Sequence, residues 1–231
     1  MDHGRSAVPR TGRMDLAVNA QPLLIFPCNG NGIEALDCLG EAYRCIGFVD
    51  DTPDKQGTER HGIPVLPRSA LAQHRDAAVL AVPGSPASFR TRGKLIAGLD
   101  VPADRFARVI HPAARVSSLA TIGCNVLIMA GVVVTSNAVI GSHVCILPNT
   151  VVHHDAVIGD GSLIGSNVTV AGNTTIGDYC YIGSGTSIIN GVHVGDGVLV
   201  GLGSNVIRDI PTGTVVAGNP ARPIPTANRA R

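Results

Sequence analysis

VVHHDAVIGDGSLIGSNVTV, residues 151–170 of a 231-residue chain, keeps a beat of six through Val152, Ile158, Ile164 and Val170. Followed both ways, the beat falls on Val116, Ile122, Ile128, Val134, Ile140, Ile146, Val152, Ile158, Ile164, Val170, Ile176, Ile182, Ile188, Val194, Val200 and Val206. All sixteen are Val or Ile, so fifteen steps pass without a failure. A helix repeats every 3.6 residues and a strand every 2, so a sustained period of six marks a hexapeptide repeat array.

The physical reading is a triangular coil with three six-residue sides, each aliphatic pointing inward and stacking on its equivalent 18 residues away. The residue four past each aliphatic is small or β-branched, as at Val126, Ala138, Ala156, Val168, Thr174, Thr186 and Val198. Glycine follows the aliphatic directly at 123, 141, 159, 165, 177, 183, 195 and 201. Glycine and small polar residues are expected at the corners, where the chain turns tightly and φ can be positive. Five coils at strand spacing stand about 24 Å tall. Such an interior has no room for large rings, which accounts for 28 glycines against 3% aromatics.

Upstream the rhythm changes. A polar leader, residues 1–13, reads as disordered or vector-derived. QPLLIFPCNGNGIEALDCLG then gives a strand, a Gly/Asn loop and a short helical segment, CIGFVDD a second strand and AAVLAVP a third. Strand, helix, strand at this spacing predicts a small parallel α/β unit, whose ligands collect beyond the strands' carboxyl ends. Those ends are Asn29–Gly32, Asp50, Asp51 and the segment after Val82. The expected division is a leader over 1–21, an α/β domain over 22–108, the prism over 109–224 and a tail over 225–231.

Net charge is +1 with 15% charged residues, so no field is present to gather nucleic acid or an anionic membrane. No apolar run approaches the roughly 20 residues of a membrane span, and a cytoplasmic protein without membrane insertion is expected. Six cysteines without a Cys-x-x-Cys pair read as reduced thiols rather than a metal or redox cluster.

His153, His154 and Asp155 interrupt the small residues of one corner. A histidine accepts a proton at neutral pH, and a carboxylate on its other ring nitrogen fixes the tautomer; a solvated corner is the alternative. Asn29, Gly30 and Gly32 read equally as a tight strand-to-helix turn or a ligand loop, and Asp50 and Asp51 as a cap or a ligand contact. Asp160, Asp178 and Asp196 read as turn residues, His143 and His193 as surface or interface residues.

Taken together, the Gly-rich first loop, GFVDD with the later GIPVL, HPAA before the prism, HHDAVIGD within it and AGNPARPI at its end resemble the sialic-acid O-acetyltransferase and bacillosamine N-acetyltransferase group of nucleotide-sugar acetyltransferases. The resemblance runs from about residue 22 to 224. It implies an α/β N-terminal domain plus a left-handed parallel β-helix, with acetyl-CoA as cosubstrate and no metal. It implies His154 as general base with Asp155 beside it, and His153 as a supporting substrate contact. Asn29, Gly30, Gly32, Asp50 and Asp51 would bind a nucleotide-linked amino sugar. Ala171, Gly172, Gly201, Leu202, Pro220 and Arg222 would line the acetyl-CoA groove, and a homotrimer would share each active site between subunits. The reaction implied is N-acetylation of a nucleotide-linked 4-amino-4,6-dideoxy sugar for surface glycan (lipopolysaccharide O-antigen) assembly, GDP-perosamine being one candidate.

Three departures bear on the substrate. Pro27-Cys28-Asn29-Gly30 stands where the group has Gly-x-Gly-Gly, and Leu147 and Leu163 replace an asparagine and a second histidine. O-acetylation on the same architecture is the alternative. A zinc hydratase of the γ-carbonic anhydrase type needs histidines 18 residues apart, and the positions flanking His154 are Ser136 and Gly172. A non-catalytic sugar-nucleotide sensor is opposed by the His-Asp pair and the GNPAR segment.

Overall fold

A computed structural model of the protein describes residues 20–225. The leader expected over 1–21 lies almost wholly outside the described residues, as does the tail from 226 onward.

Strand β1 (Gln21–Phe26) leads through α1 (Gly30–Glu34) to β2 (Tyr43–Val49), and a hairpin of β3 (Glu59–Arg60) and β4 (Ile63–Leu66) follows. Helix α2 (Ala70–Gln73), β5 (Ala78–Ala81) and α3 (Arg92–Ala97) complete the unit. The sheet order is β3-β4-β2-β1-β5, parallel except for β3. The expected parallel α/β unit is present with two strands more than the sequence reading gave it. Because β2 and β5 flank β1 on opposite sides, the crevice beyond their carboxyl ends is the switch point where such sheets bind ligands.

From β6 (Arg108–Ile110) the chain winds into a parallel β-helix of short rungs, paired in parallel at intervals of 18 residues as far as Asn205–Val206, with a final pair at 16 from Leu199 to Val215. The first side carries Val134, Val152, Val170 and Ile188, the second Ile140, Ile158 and Ile176, the third Ile128, Ile146, Ile164 and Ile182. The inward aliphatics and the small residues two positions before each form one continuous buried core. Thr150, Ser162 and Thr174 also point inward, their hydroxyls donating to the carbonyls of Gly165, Gly177 and Ile189.

Glycine and small polar residues were expected at the corners with positive φ; that conformation falls third after the aliphatic, on Gly131, Gly161 and Gly185 among others, rather than on the glycine directly after it. Asn137, Asp155 and Asn173 take the left-handed conformation at the corner between first and second sides. Asn125, His143 and Tyr179 take it at the next corner, Asn149 and Asn167 at the third. Asn and Asp tolerate that conformation as single residues. The glycines directly after the aliphatics are required instead by stacking: a Cβ on Gly123 would lie 2.6 Å from backbone of Gly141, and one on Gly183 2.7 Å from Leu202 N.

The sheet lies directly on the third side. Leu23 and Ile25 of β1 share a buried cluster with Leu127, Cys145 and Leu163, which point outward from the prism, while Leu24 and Phe26 face α2 and α3 on the other side. Asn125 seals the seam: its Oδ1 accepts from Ala81 N at 2.7 Å and its Nδ2 donates to Ala81 O at 2.8 Å, satisfying the edge of β5 as a further strand would. The cysteines are all free, and burial pushes Cys38, Cys45 and Cys180 to about 11 and Cys145 to about 12, far from reactive thiolates.

Candidate active site

His154 and Asp155 occupy the exposed corner between the first and second sides. The left-handed turn at Asp155, φ 57°, folds its carboxylate back so that Oδ2 sits 2.8 Å from His154 Nδ1. Oδ1 accepts from Asn137 Nδ2, one coil earlier, at 3.0 Å. These two bonds, His154 first, hold the Asp155 carboxyl below the usual carboxylate range. The carboxylate thus engages Nδ1 and leaves Nε2 directed away from it. Gly172 lies one coil on, where a Cβ would come within 2.7 Å of His154 Cε1 and Nε2. The ring rests in the space that glycine leaves. His153 is half-buried on the same corner.

A second feature lies at the sheet's switch point. A cavity of about 290 Å³ is walled by Asn29, Gly30 and Asn31 after β1, by Gly84, Ser85 and Pro86 after β5, and by Leu147, Leu163 and Tyr181 on the prism. Its lining holds no Lys, Arg, Asp or Glu. Asn29 Oδ1 caps α1 by accepting from Gly32 N at 2.9 Å, and a Cβ on Gly32 would collide with Pro27 O. Gly30 has open space around it. The two leucines that replace polar residues of the resembled group are therefore on this cavity's wall.

Asp50 is buried and fastens the first loop: Oδ2 accepts from Cys28 N at 3.0 Å and Lys55 Nζ at 2.9 Å, Oδ1 from Thr52 N at 2.9 Å. Burial opposes its charge, but the Lys55 and Thr52 bonds outweigh it and hold its pKa below the ordinary value. Asp51 points elsewhere, onto Arg68, whose Nε donates to it at 3.0 Å. Neither aspartate lines the cavity.

The residues assigned to acetyl-CoA do not converge within one chain. Ala171 and Gly172 share the His154 corner, Gly201 and Leu202 stand at the corner between third and first sides, and Pro220 and Arg222 belong to the short antiparallel hairpin closing the last coil. Leu202 is 73% exposed. His143, read as a surface or interface residue, is inside the seam between sheet and prism, its ring edge-on to Phe106 at 5.3 Å. Asp160, Asp178 and Asp196 form a ladder, each Oδ1 taking a backbone N–H one coil earlier, from Ser142, Asp160 and Asp178 respectively.

Sequence reasoning pointed to the segment after Val82, where Gly84–Pro86 lie, but did not single out Asn137, Tyr181, Lys55 or Arg92. The 18-residue column carried a signal for Asn137, which precedes Asp155 by that interval. Among the described residues no three His, Cys, Asp or Glu side chains gather where a metal ion could be held, and no helix is long and apolar enough to cross a membrane.

Comparison with known proteins places this geometry. The family model of the bacterial transferase hexapeptide (six repeats) matches residues 119–154, 137–172 and 155–190. The acetyltransferase domain of PglB from Neisseria gonorrhoeae, solved with acetyl coenzyme A, is similar at 29% identity and a TM-score of 0.77, over 89% of this chain and 100% of that one. PerB from Caulobacter crescentus, solved with CoA and GDP-perosamine, is similar at 27% and 0.75, over 89% and 98%. WeeI from Acinetobacter baumannii is similar at 26% and 0.76, over 89% and 100%. No curated protein matches the chain in sequence. The left-handed β-helix that the resemblance implied is the fold these structures share with it.

Proposed function

We propose that this chain, an acyltransferase of the hexapeptide-repeat nucleotide-sugar group, moves an acetyl group from acetyl-CoA to the amine of a nucleotide-linked 4-amino-4,6-dideoxy sugar, with His154 as general base. The observation that carries the reading is the His154–Asp155 pair seated over Gly172 at an exposed prism corner. The likeness to PglB and PerB, one solved with acetyl coenzyme A and the other with CoA and GDP-perosamine, supports the two substrate classes.

The chemistry follows from the residues. Asp155 on Nδ1 leaves Nε2 to take the proton as the amine attacks the thioester carbonyl, and the carboxylate then stabilises the imidazolium. The thioester C–S bond breaks, the departing thiolate takes that proton from the imidazolium and leaves as CoA thiol, and an amide forms without a covalent enzyme intermediate. The cavity between Asn29–Asn31 and Ser85 takes an uncharged part of the nucleotide sugar, because no charged side chain lines it. That cavity flanks the third side whereas His154 is on the corner between the other two, so one chain does not unite them. A homotrimer with each site shared between neighbours reconciles the two, and surface glycan assembly in the cytoplasm is the setting that fits such a product.

The test is release of CoA thiol from acetyl-CoA across GDP-, UDP- and dTDP-linked 4-amino-4,6-dideoxy sugars and their hydroxyl counterparts. Turnover with an amine acceptor is expected. Turnover with hydroxyl acceptors alone selects O-acetylation, and no acceptor-dependent release with any of them overturns the proposal.

A further inference from the structure

Arg92, at the start of α3, is wholly buried, and no carboxylate among the described residues pairs with it. Its guanidinium reaches three separate segments through backbone carbonyls. Nε donates to Pro83 O at 2.8 Å, and Nη1 donates to Gly161 O at 2.9 Å and to His143 O. Nη2 has no partner. His143 and Gly161 are stacked residues of one prism corner, 18 apart, while Pro83 opens the loop whose next residues, Gly84, Ser85 and Pro86, wall the cavity.

The loop rests on this side chain. Gly84 takes φ 138°, and a Cβ there would lie 3.3 Å from Arg92 Nε and 2.7 Å from Leu163 Cδ1. A buried charge without an opposite charge is costly to keep, and an apolar side chain of similar volume fills such space at no such cost. What methionine or leucine lacks is the planar fork that fixes several acceptors in direction at once. Burial brings the guanidinium down to about 10, which leaves it charged at neutral pH.

We infer that Arg92 is a positioning residue for acceptor binding: from inside the seam it sets the loop 83–86 against the prism and so fixes one wall of the cavity. The inference rests on the reading of that cavity as the nucleotide-sugar site. It separates this loop from the His154 corner, where acetyl-CoA is proposed to react, so the two substrates should respond differently to its loss.

Arg92→Met and Arg92→Lys are compared with the native chain by hydrogen exchange of the peptide spanning 83–88 and by steady-state kinetics with the acceptor the native protein uses. In Arg92→Met, amides of 83–88 are expected to exchange at least tenfold faster while prism amides keep their protection. KM for the nucleotide sugar should rise about tenfold or more, with kcat and KM for acetyl-CoA within twofold. Arg92→Lys, which keeps the charge but loses the fork, should fall between the two and serves alone if the methionine variant does not fold. Unchanged exchange at 83–88, or a parallel loss of prism protection with kcat and both KM values altered together, overturns the inference. Should the native chain turn over no acceptor, the functional reading fails while the exchange comparison still decides whether Arg92 holds the loop.

Discussion

At His154 the decisive neighbour is a missing side chain. Gly172 leaves the imidazole a seat, and Asp155 and Asn137 orient it from the other edge, so ring position depends on three residues from three successive coils. Replacing His154 with Ala should lower kcat by about two to four powers of ten, the usual loss for a general base, with acetyl-CoA affinity retained by calorimetry. His153→Ala should stay within about tenfold of native on the same scale; the reverse order would assign the base to the wrong histidine. Gly172→Ala offers a subtler test, since its methyl displaces the ring without touching its chemistry. A kcat loss of about tenfold or more with unchanged melting temperature is expected, misplacement of a reacting group being costly even at small distances.

Among the elements, the seam between sheet and prism carries the pH response. Asn125 Oδ1 is committed to Ala81 N, so its Nδ2 faces Ala81 O and His143 Nδ1, the latter at 2.9 Å. His143 Nδ1 must therefore accept, which a doubly protonated ring cannot do. Burial first, and then the Arg92 charge, depress the His143 pKa, with Asp160 opposing weakly. The folded state thus binds this proton less readily than the unfolded chain. Stability is complete above the ordinary imidazole value of about 6.5 and falls as pH drops below it. Melting temperature measured from pH 7.5 to 5 should decline below about 6.5 in the native chain. His143→Asn, which suits the left-handed backbone, should flatten that decline; an equal slope in both would remove His143 from the account.

The same seam shows what the sequence disclosed about its elements and what it withheld. The inward aliphatics were plain because their period is local and uninterrupted. The packed side was written just as regularly, in the outward-facing Leu127, Cys145, Leu163, Tyr181 and Leu199, but at a period of eighteen and across other residues. The glycines directly after the aliphatics answer to close stacking and those two residues later, such as Gly161 and Gly185, to backbone twist, a difference that composition does not show. Asp50 read equally as a cap or a ligand contact because its partners, Cys28 and Lys55, meet it only after the sheet is assembled. The cavity was foreseen only as the carboxyl ends of strands; its prism wall required the docking of two units.

For the whole molecule, the separation of the His154 corner from the cavity makes a prediction about assembly. If neighbours complete each other's sites, a chain carrying His154→Ala and a chain with an obstructed cavity, such as Gly84→Leu, should each be inactive alone. Co-refolded or co-expressed in mixture, they should recover roughly a quarter to a third of native activity, since only some neighbour pairs in a closed ring join two intact halves. Light scattering should report three chains, and a monomer that remains fully active would end the shared-site reading.

The rung-to-rung pairing also imposes an arithmetic on the length of this chain. Removing six residues between Val116 and Val152 would keep every aliphatic pointing inward yet swing the His154 corner one side round the prism, away from its orientation to the sheet. Removing eighteen would restore that orientation and lower it by a single storey of about 4.8 Å. Any number that is not a multiple of six would turn aliphatics outward. The prism therefore tolerates changes of length only in whole storeys, or as loops extruded from a corner, and the place of its chemistry is counted out in residues as much as held by contacts.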